Sequence, residues 1–171
     1  MLGGRGPRWL AGILLVLLAA CGSGYSTSPT AFVLPRLSGG GTVRLVAFRG
    51  EPTVVALFSS SCRLCASELP LLAGAAQELH GQVAFIGVDS DDPGDGLVTA
   101  RQGGIGSWPL ARDVGGAHGT GLLDALESSG VLPLTAFYDR DGGLLSVQSG
   151  ELSAAGLGTT LYQLYGARVQ L

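Results

Sequence analysis

Cys62 and Cys65 stand two residues apart in the segment Cys62-Arg63-Leu64-Cys65, and they are two of the three cysteines in a chain of 171 residues. Thiols at that spacing can form a structural disulfide, supply half of a metal site, or undergo reversible dithiol/disulfide exchange. A structural bridge stabilises mainly by closing a long loop in the unfolded chain, and two intervening residues close very little. Structural zinc takes four ligands, whereas beyond this pair the chain offers two isolated histidines, His80 and His118. Exchange requires one sulfur that ionises readily and a second that waits behind it.

The flanking elements decide where those sulfurs sit. Residues 53–58 (TVVALF) form a short apolar, β-branched run after Gly50-Glu51-Pro52 and before Ser59-Ser60-Ser61, the pattern of a buried strand. From Cys62 onward the residues are good helix formers with apolar positions at helical spacing; Ser61 is the expected N-cap and Gly81, after His80, the expected stop. This strand-to-helix arrangement places Cys62 in the first helical turn, where unpaired amides and the positive end of the helix dipole favour a thiolate. Arg63 adds a cation, and Cys65, one turn deeper, is expected to be the shielded, resolving thiol. CxxC alone is a weak signal; after a buried strand and at the head of a helix it is a strong one.

Further along, residues 83–89 (VAFIGVD) read as a second buried strand. The glycine-rich stretch 94–130 is expected to hold a helix near 97–102, a short strand about Leu110 and a helix near 122–128. Gly142-Gly143 forms the turn of a hairpin joining 134–138 to 144–148, followed by an amphipathic helix over 153–165. Asp89-Ser90-Asp91-Asp92 with Asp95 lacks the spacing of a calcium loop and reads as a solvated loop. His118 reads as a loop residue, His80 as a helix-end charge, and Trp108-Pro109 as packing or pocket lining.

The first twenty residues form a secretory signal: Arg5 and Arg8, an uncharged apolar stretch over residues 9–18, then Ala19-Ala20. The stretch is too short for a spanning helix. Leu18-Ala19-Ala20-Cys21 resembles the lipobox of bacterial lipoproteins, which implies cleavage before Cys21 and a lipid anchor on its sulfur. Paired acyl chains hold a protein stably on a membrane where one does so marginally. Residues 21–30 then read as lipidated cysteine and polar tether, and residues 31–171 as one domain. With Cys21 acylated, Cys62 and Cys65 are left as one pair in a compartment that permits disulfides.

Composition agrees with one compact domain: 46% hydrophobic, 13% charged, 6% aromatic. All ten basic residues are arginines, against 13 acids, and no basic run occurs beyond the first eight positions, which argues against nucleic acid as a partner. No internal repeat is present.

Several segments resemble the TlpA/ResA-like membrane-tethered thiol-disulfide oxidoreductases of the thioredoxin superfamily. Phe32-Val33-Leu34-Pro35 with Leu37 and Gly39-Gly40-Gly41-Thr42-Val43 resembles their N-terminal hairpin, and Arg49-Gly50-Glu51-Pro52 the turn before their first central strand. Cys62-Arg63-Leu64-Cys65-Ala66-Ser67-Glu68-Leu69-Pro70 is similar to their C-P-P-C-R-A-E-M-P, with Pro70 expected to kink the helix. Residues 130–142, from Gly130-Val131 through Pro133 to Asp141-Gly142, resemble their second motif. The resemblance covers nearly all of residues 31–166.

It implies a thioredoxin-like α/β fold, a central mixed β-sheet flanked by helices with an N-terminal β-hairpin extension. It also implies that Pro133 is a cis proline beside the cysteines and that Leu132 offers backbone hydrogen bonds to an extended substrate. Arg63 and Leu64 would complete the substrate-facing surface. The implied partners are cysteine-containing protein substrates and a membrane electron-donor protein, in a setting such as cytochrome c maturation. No metal and no cofactor beyond the Cys62-Cys65 disulfide is expected, and reduction of substrate is the favoured direction.

Two departures matter. Ser61 stands where the family usually has Trp, and Ala56 stands where thioredoxin has a buried Asp. Proton removal from Cys65 then rests on water or on another acid, and Glu68, Asp89 and Glu51 are the candidates, unranked by the sequence. A peroxiredoxin-like peroxidase is an alternative, but its motif requires Pro at position 55 and Thr at 59, where Val55 and Ser59 stand. A Sco-like copper-binding chaperone is another; those proteins resemble a CxxxC with a distant His, and here the spacing is CxxC.

Overall fold

The computed structural model describes residue 1 and residues 24–90, 95–116, 119–127 and 129–171. Cys21, residues 2–20 of the signal, Asp91, Asp92, His118 and the last residue of the helix expected over 122–128 fall outside those ranges. Among the described residues no helix is long and apolar enough to cross a membrane.

The chain opens with β1 (Val33–Pro35) and β2 (Thr42–Arg44), an antiparallel hairpin followed by a 3-10 turn at Leu45–Phe48. Then come β3 (Thr53–Phe58), α1 (Arg63–Glu78), β4 (Ala84–Asp89), α2 (Gly96–Gln102) and β5 (Leu110–Arg112). The last elements are α3 (Leu122–Leu126), β6 (Leu134–Tyr138), β7 (Leu144–Ser149) and α4 (Ala154–Tyr165). Five strands form one sheet in the order β5-β4-β3-β6-β7. The pairs β3/β4 and β4/β5 are parallel, while β3/β6 and β6/β7 are antiparallel. The expected mixed sheet, flanking helices and N-terminal hairpin are thus all present.

β3 lies at the centre with all six residues buried, because both faces of the sheet are covered. On one face Val54, Ala56 and Phe58 meet Cys65, Leu69 and Leu72 of α1 and Leu157 and Leu161 of α4. On the other, Val55 and Leu57 meet Phe32, Leu34 and Leu45 of the N-terminal segment and Leu122 of α3. Each fully buried Leu or Phe contributes roughly 1.5–3 kcal/mol, so these two layers hold the sheet in register.

Two local expectations shift. Ser61 is not the N-cap of α1; Cys62 is, with extended backbone (φ −85°, ψ 103°), while the Ser61 hydroxyl lies 3.1 Å from that of Ser59. The helix also ends at Glu78, capped by Leu79, so His80 lies beyond it with φ 47°, followed by Gly81 with φ 80°. Pro70 sits inside α1 on its exposed side, and the helix continues through it.

Candidate functional site

Cys62 and Cys65 are joined by a disulfide, with their Cα atoms 5.3 Å apart. As N-cap, Cys62 turns its sulfur back over the helix start, and Sγ accepts a hydrogen bond from the Cys65 backbone N–H at 3.1 Å. The orphan amides of a first turn and the local dipole therefore act directly on this sulfur. Cys62 is half-buried and Cys65 fully buried, so the two sulfurs are unequal in access. Arg63 and Leu64 between them are exposed, Leu64 by 50%.

The Leu132-Pro133 peptide is cis. Pro133 is buried; Leu132 is half-buried and borders the same apolar cluster as Cys62. The Pro133 carbonyl accepts from the N–H of Gly150 at 2.8 Å, which fastens the loop after β7 to this segment. Val131, one residue earlier, is 45% exposed.

The three candidate acids separate clearly. Glu51 is exposed at the start of β3, the end of the sheet away from the cysteines. Asp89 is buried at the end of β4, on the strand two places from β6, where the start of α2 packs against it. Glu68 is 2% exposed and stands three residues after Cys65, on the buried face of the same helix. Its Oε1 accepts from the Thr135 hydroxyl at 2.8 Å and its Oε2 from the Leu152 N–H at 2.7 Å.

Register explains why a glutamate fits there. Ala56 pairs with Thr135 across β3 and β6, so their side chains point to the same face, the one α1 covers. Glu68 comes to that face from the helix, and its carboxyl meets Thr135, the cross-strand neighbour of Ala56. A buried carboxyl thus stands on α1, where the strand has none. Burial pushes the Glu68 carboxyl above its ordinary value, the bonds from Leu152 and Thr135 act in the opposite sense, and nearby Glu151 adds to the rise. Glu151 is exposed and accepts from the Ser67 hydroxyl.

Thr135 lies inside a segment that the sequence singles out, although nothing in the spacing shows its contact with Glu68. The Leu152 N–H and Glu151 carry no sequence signal at all. Trp108 packs on Phe85, ring centroids 5.0 Å apart. Among the described residues no group of three His, Cys, Asp or Glu comes together as a metal site.

No family model matches the chain, and no curated protein matches it. Solved structures do. A secreted disulfide oxidoreductase of Mycobacterium tuberculosis, homologous to E. coli DsbE, is 20% identical with a TM-score of 0.64, over 80% of this chain and 98% of its own. The pneumococcal exposed lipoprotein thioredoxin of Streptococcus pneumoniae is 23% identical with a TM-score of 0.61, over 78% of this chain and 99% of its own. StoA of Bacillus subtilis is 17% identical with a TM-score of 0.56, over 77% and 96%. At these identities the likeness is one of fold, and the fold is thioredoxin-like.

Proposed function

We propose that this chain is a thiol-disulfide oxidoreductase that works outside the cytoplasm on cysteine pairs of other proteins, with reduction of substrate as its favoured direction. The observation that carries this reading is the unequal pair: Cys62 half-exposed at a helix N-cap, Cys65 buried behind it. The redox group is the cysteine pair itself, and the structure holds it oxidised.

In the reduced enzyme the Cys62 thiolate attacks one sulfur of a substrate disulfide, and the other leaves as thiolate. Leu132 offers its backbone to the extended substrate segment beside the cis Pro133, and the exposed Arg63 and Leu64 complete the substrate-facing surface. Glu68 takes the proton from Cys65; the new thiolate attacks the Cys62 sulfur, the second substrate thiolate leaves, and the Cys62-Cys65 disulfide closes. Two electrons pass to the substrate, and a membrane dithiol donor returns them. Cytochrome c maturation is the setting that the resemblance implies. The lipid on Cys21 would hold the domain at the membrane, and that placement has a precedent of the same fold in the pneumococcal thioredoxin, itself an exposed lipoprotein.

Insulin reduction tests the chemistry. Wild-type protein accelerates it, Cys62→Ser abolishes the acceleration, and Cys65→Ser accumulates a mixed disulfide with substrate that wild type resolves. Full activity in Cys62→Ser refutes the reading. Equilibration of the Cys62/Cys65 couple with glutathione sets the direction, a strongly reducing couple marking a reductase.

A further inference from the structure

Glu68 is held by two elements at once, and each is also attached to the cis-proline segment. Thr135, which donates to Oε1, lies two residues after Pro133 on β6. Leu152, which donates to Oε2, lies two residues after Gly150, whose N–H donates to the Pro133 carbonyl. The two donors differ in kind. A backbone N–H can only donate, whereas a hydroxyl donates to a carboxylate and can turn to accept from a carboxylic acid. Oε1 therefore faces a group suited to both protonation states, and Oε2 does not.

We propose that Thr135 is a positioning residue of the exchange reaction: its hydroxyl fixes the Glu68 carboxylate as proton acceptor and ties it to the strand that presents Leu132-Pro133 to substrate. This rests on the exchange reading above. When the Cys65 S–H bond breaks and the O–H bond forms on Glu68, no charge is lost or gained by the pair, and Thr135 accommodates the acid by rotating its hydroxyl. The charged group acting on Glu68 is Glu151, on the loop between β7 and α4; Cys65 stands three residues earlier on α1 and is bonded to Cys62 in the oxidised protein. The facing strands present Ala56 and Thr135, neither of which ionises in this range. A hydroxyl bonded to a carboxylate favours its charged form, so removing the hydroxyl moves Glu68 further upward.

The test compares the full chain with Thr135→Val, which keeps the shape and loses the hydroxyl, and Thr135→Ser, which restores it. Carbon-13 NMR of the Glu68 carboxyl in the oxidised protein reads its titration directly. The expected result is an upward displacement in Thr135→Val and a return toward wild type in Thr135→Ser. The acid limb of the pH profile for insulin reduction moves the same way, with a rate on that limb about ten-fold lower in the valine variant. An unmoved Glu68 titration in a folded Thr135→Val overturns the role of Thr135 while an active wild type keeps the exchange reading. A wild type that reduces no insulin removes the exchange reading and this role together. Thr135→Ala serves the same comparison where the valine variant does not fold.

Discussion

Burying a carboxylate among leucines works against folding unless its charge is hydrogen-bonded or its proton retained. Glu68 has two hydrogen bonds and is still displaced upward by burial, and Asp113 is displaced upward for the same reason although it accepts from the N–H groups of Leu122 and Leu123. A carboxyl raised in the folded state holds its proton where the unfolded chain has lost it. Its stabilising contribution is full below the unfolded value and disappears as pH rises through the folded one. Melting temperature of the oxidised protein should therefore rise as pH is lowered from neutrality toward the carboxylate range, and Glu68→Gln should flatten that slope in thermal melts followed by circular dichroism. The same substitution removes the proposed proton acceptor, so insulin reduction should fall by about 10²-fold, the lower range for a general base. A variant with the wild-type rate would leave Glu68 a structural acid.

At the scale of elements, α3 is a five-residue helix that is too short to persist by its own propensity. Asp113, at the end of β5, accepts from its first two amides at 2.6 and 2.9 Å and so anchors it. Asp113→Ala should cost roughly 1–3 kcal/mol in urea titrations, with the loss located by hydrogen exchange at residues 122–126. Where α2 ends, a Cβ on Gly103 would come within 2.6 Å of the Leu69 Cβ, so Gly103→Ala should separate α2 from α1 at a similar cost of roughly 1–3 kcal/mol. Neither contact is visible in the sequence, since each joins residues brought together only by the folded sheet. What is legible is local: the buried runs of β3 and β4, the Gly142-Gly143 hairpin, and the helix after Cys62 all follow from apolar periodicity and turn residues. The cysteine pair and Pro133 are legible because their chemistry is tied to residue type. The cap lies one residue beyond the serine that propensity favours, because here the cysteine sulfur takes the amide instead. Ala56 leaves the proton acceptor open in the sequence, since which of the three acids meets Thr135, its cross-strand neighbour, depends on register and not on spacing.

Across the whole molecule, Pro29 and the cysteines lie toward opposite ends of β3. Pro29 accepts a hydrogen bond from the hydroxyl of Tyr138, the last residue of β6, and Tyr138 pairs with Thr53 at the start of β3; Cys62 follows the other end of that strand. Ser26 pairs with Val33, and Leu37 donates to the Leu110 carbonyl at 2.9 Å, so the hairpin runs from the pole near Pro29 up to the β5 edge and closes it against stray pairing. A chain entering near Pro29 comes in at the end of β3 opposite to the one that Cys62 follows. If Cys21 carries the lipid, attachment and chemistry should be separable. Cys21→Ser should move the protein from the membrane fraction to the soluble fraction, because one residue carries both acyl chains. Insulin reduction by that variant should stay within about two-fold of wild type, since the proposed nucleophile, its helix cap and the proposed proton acceptor are all built from residues 53–152 and distant substitutions act independently. Fractionation with immunodetection and the turbidity assay read the two effects in one preparation. Retention of the variant on membranes would place the anchor elsewhere, and a large loss of activity would mean that the segment before Gly24 reaches the substrate edge.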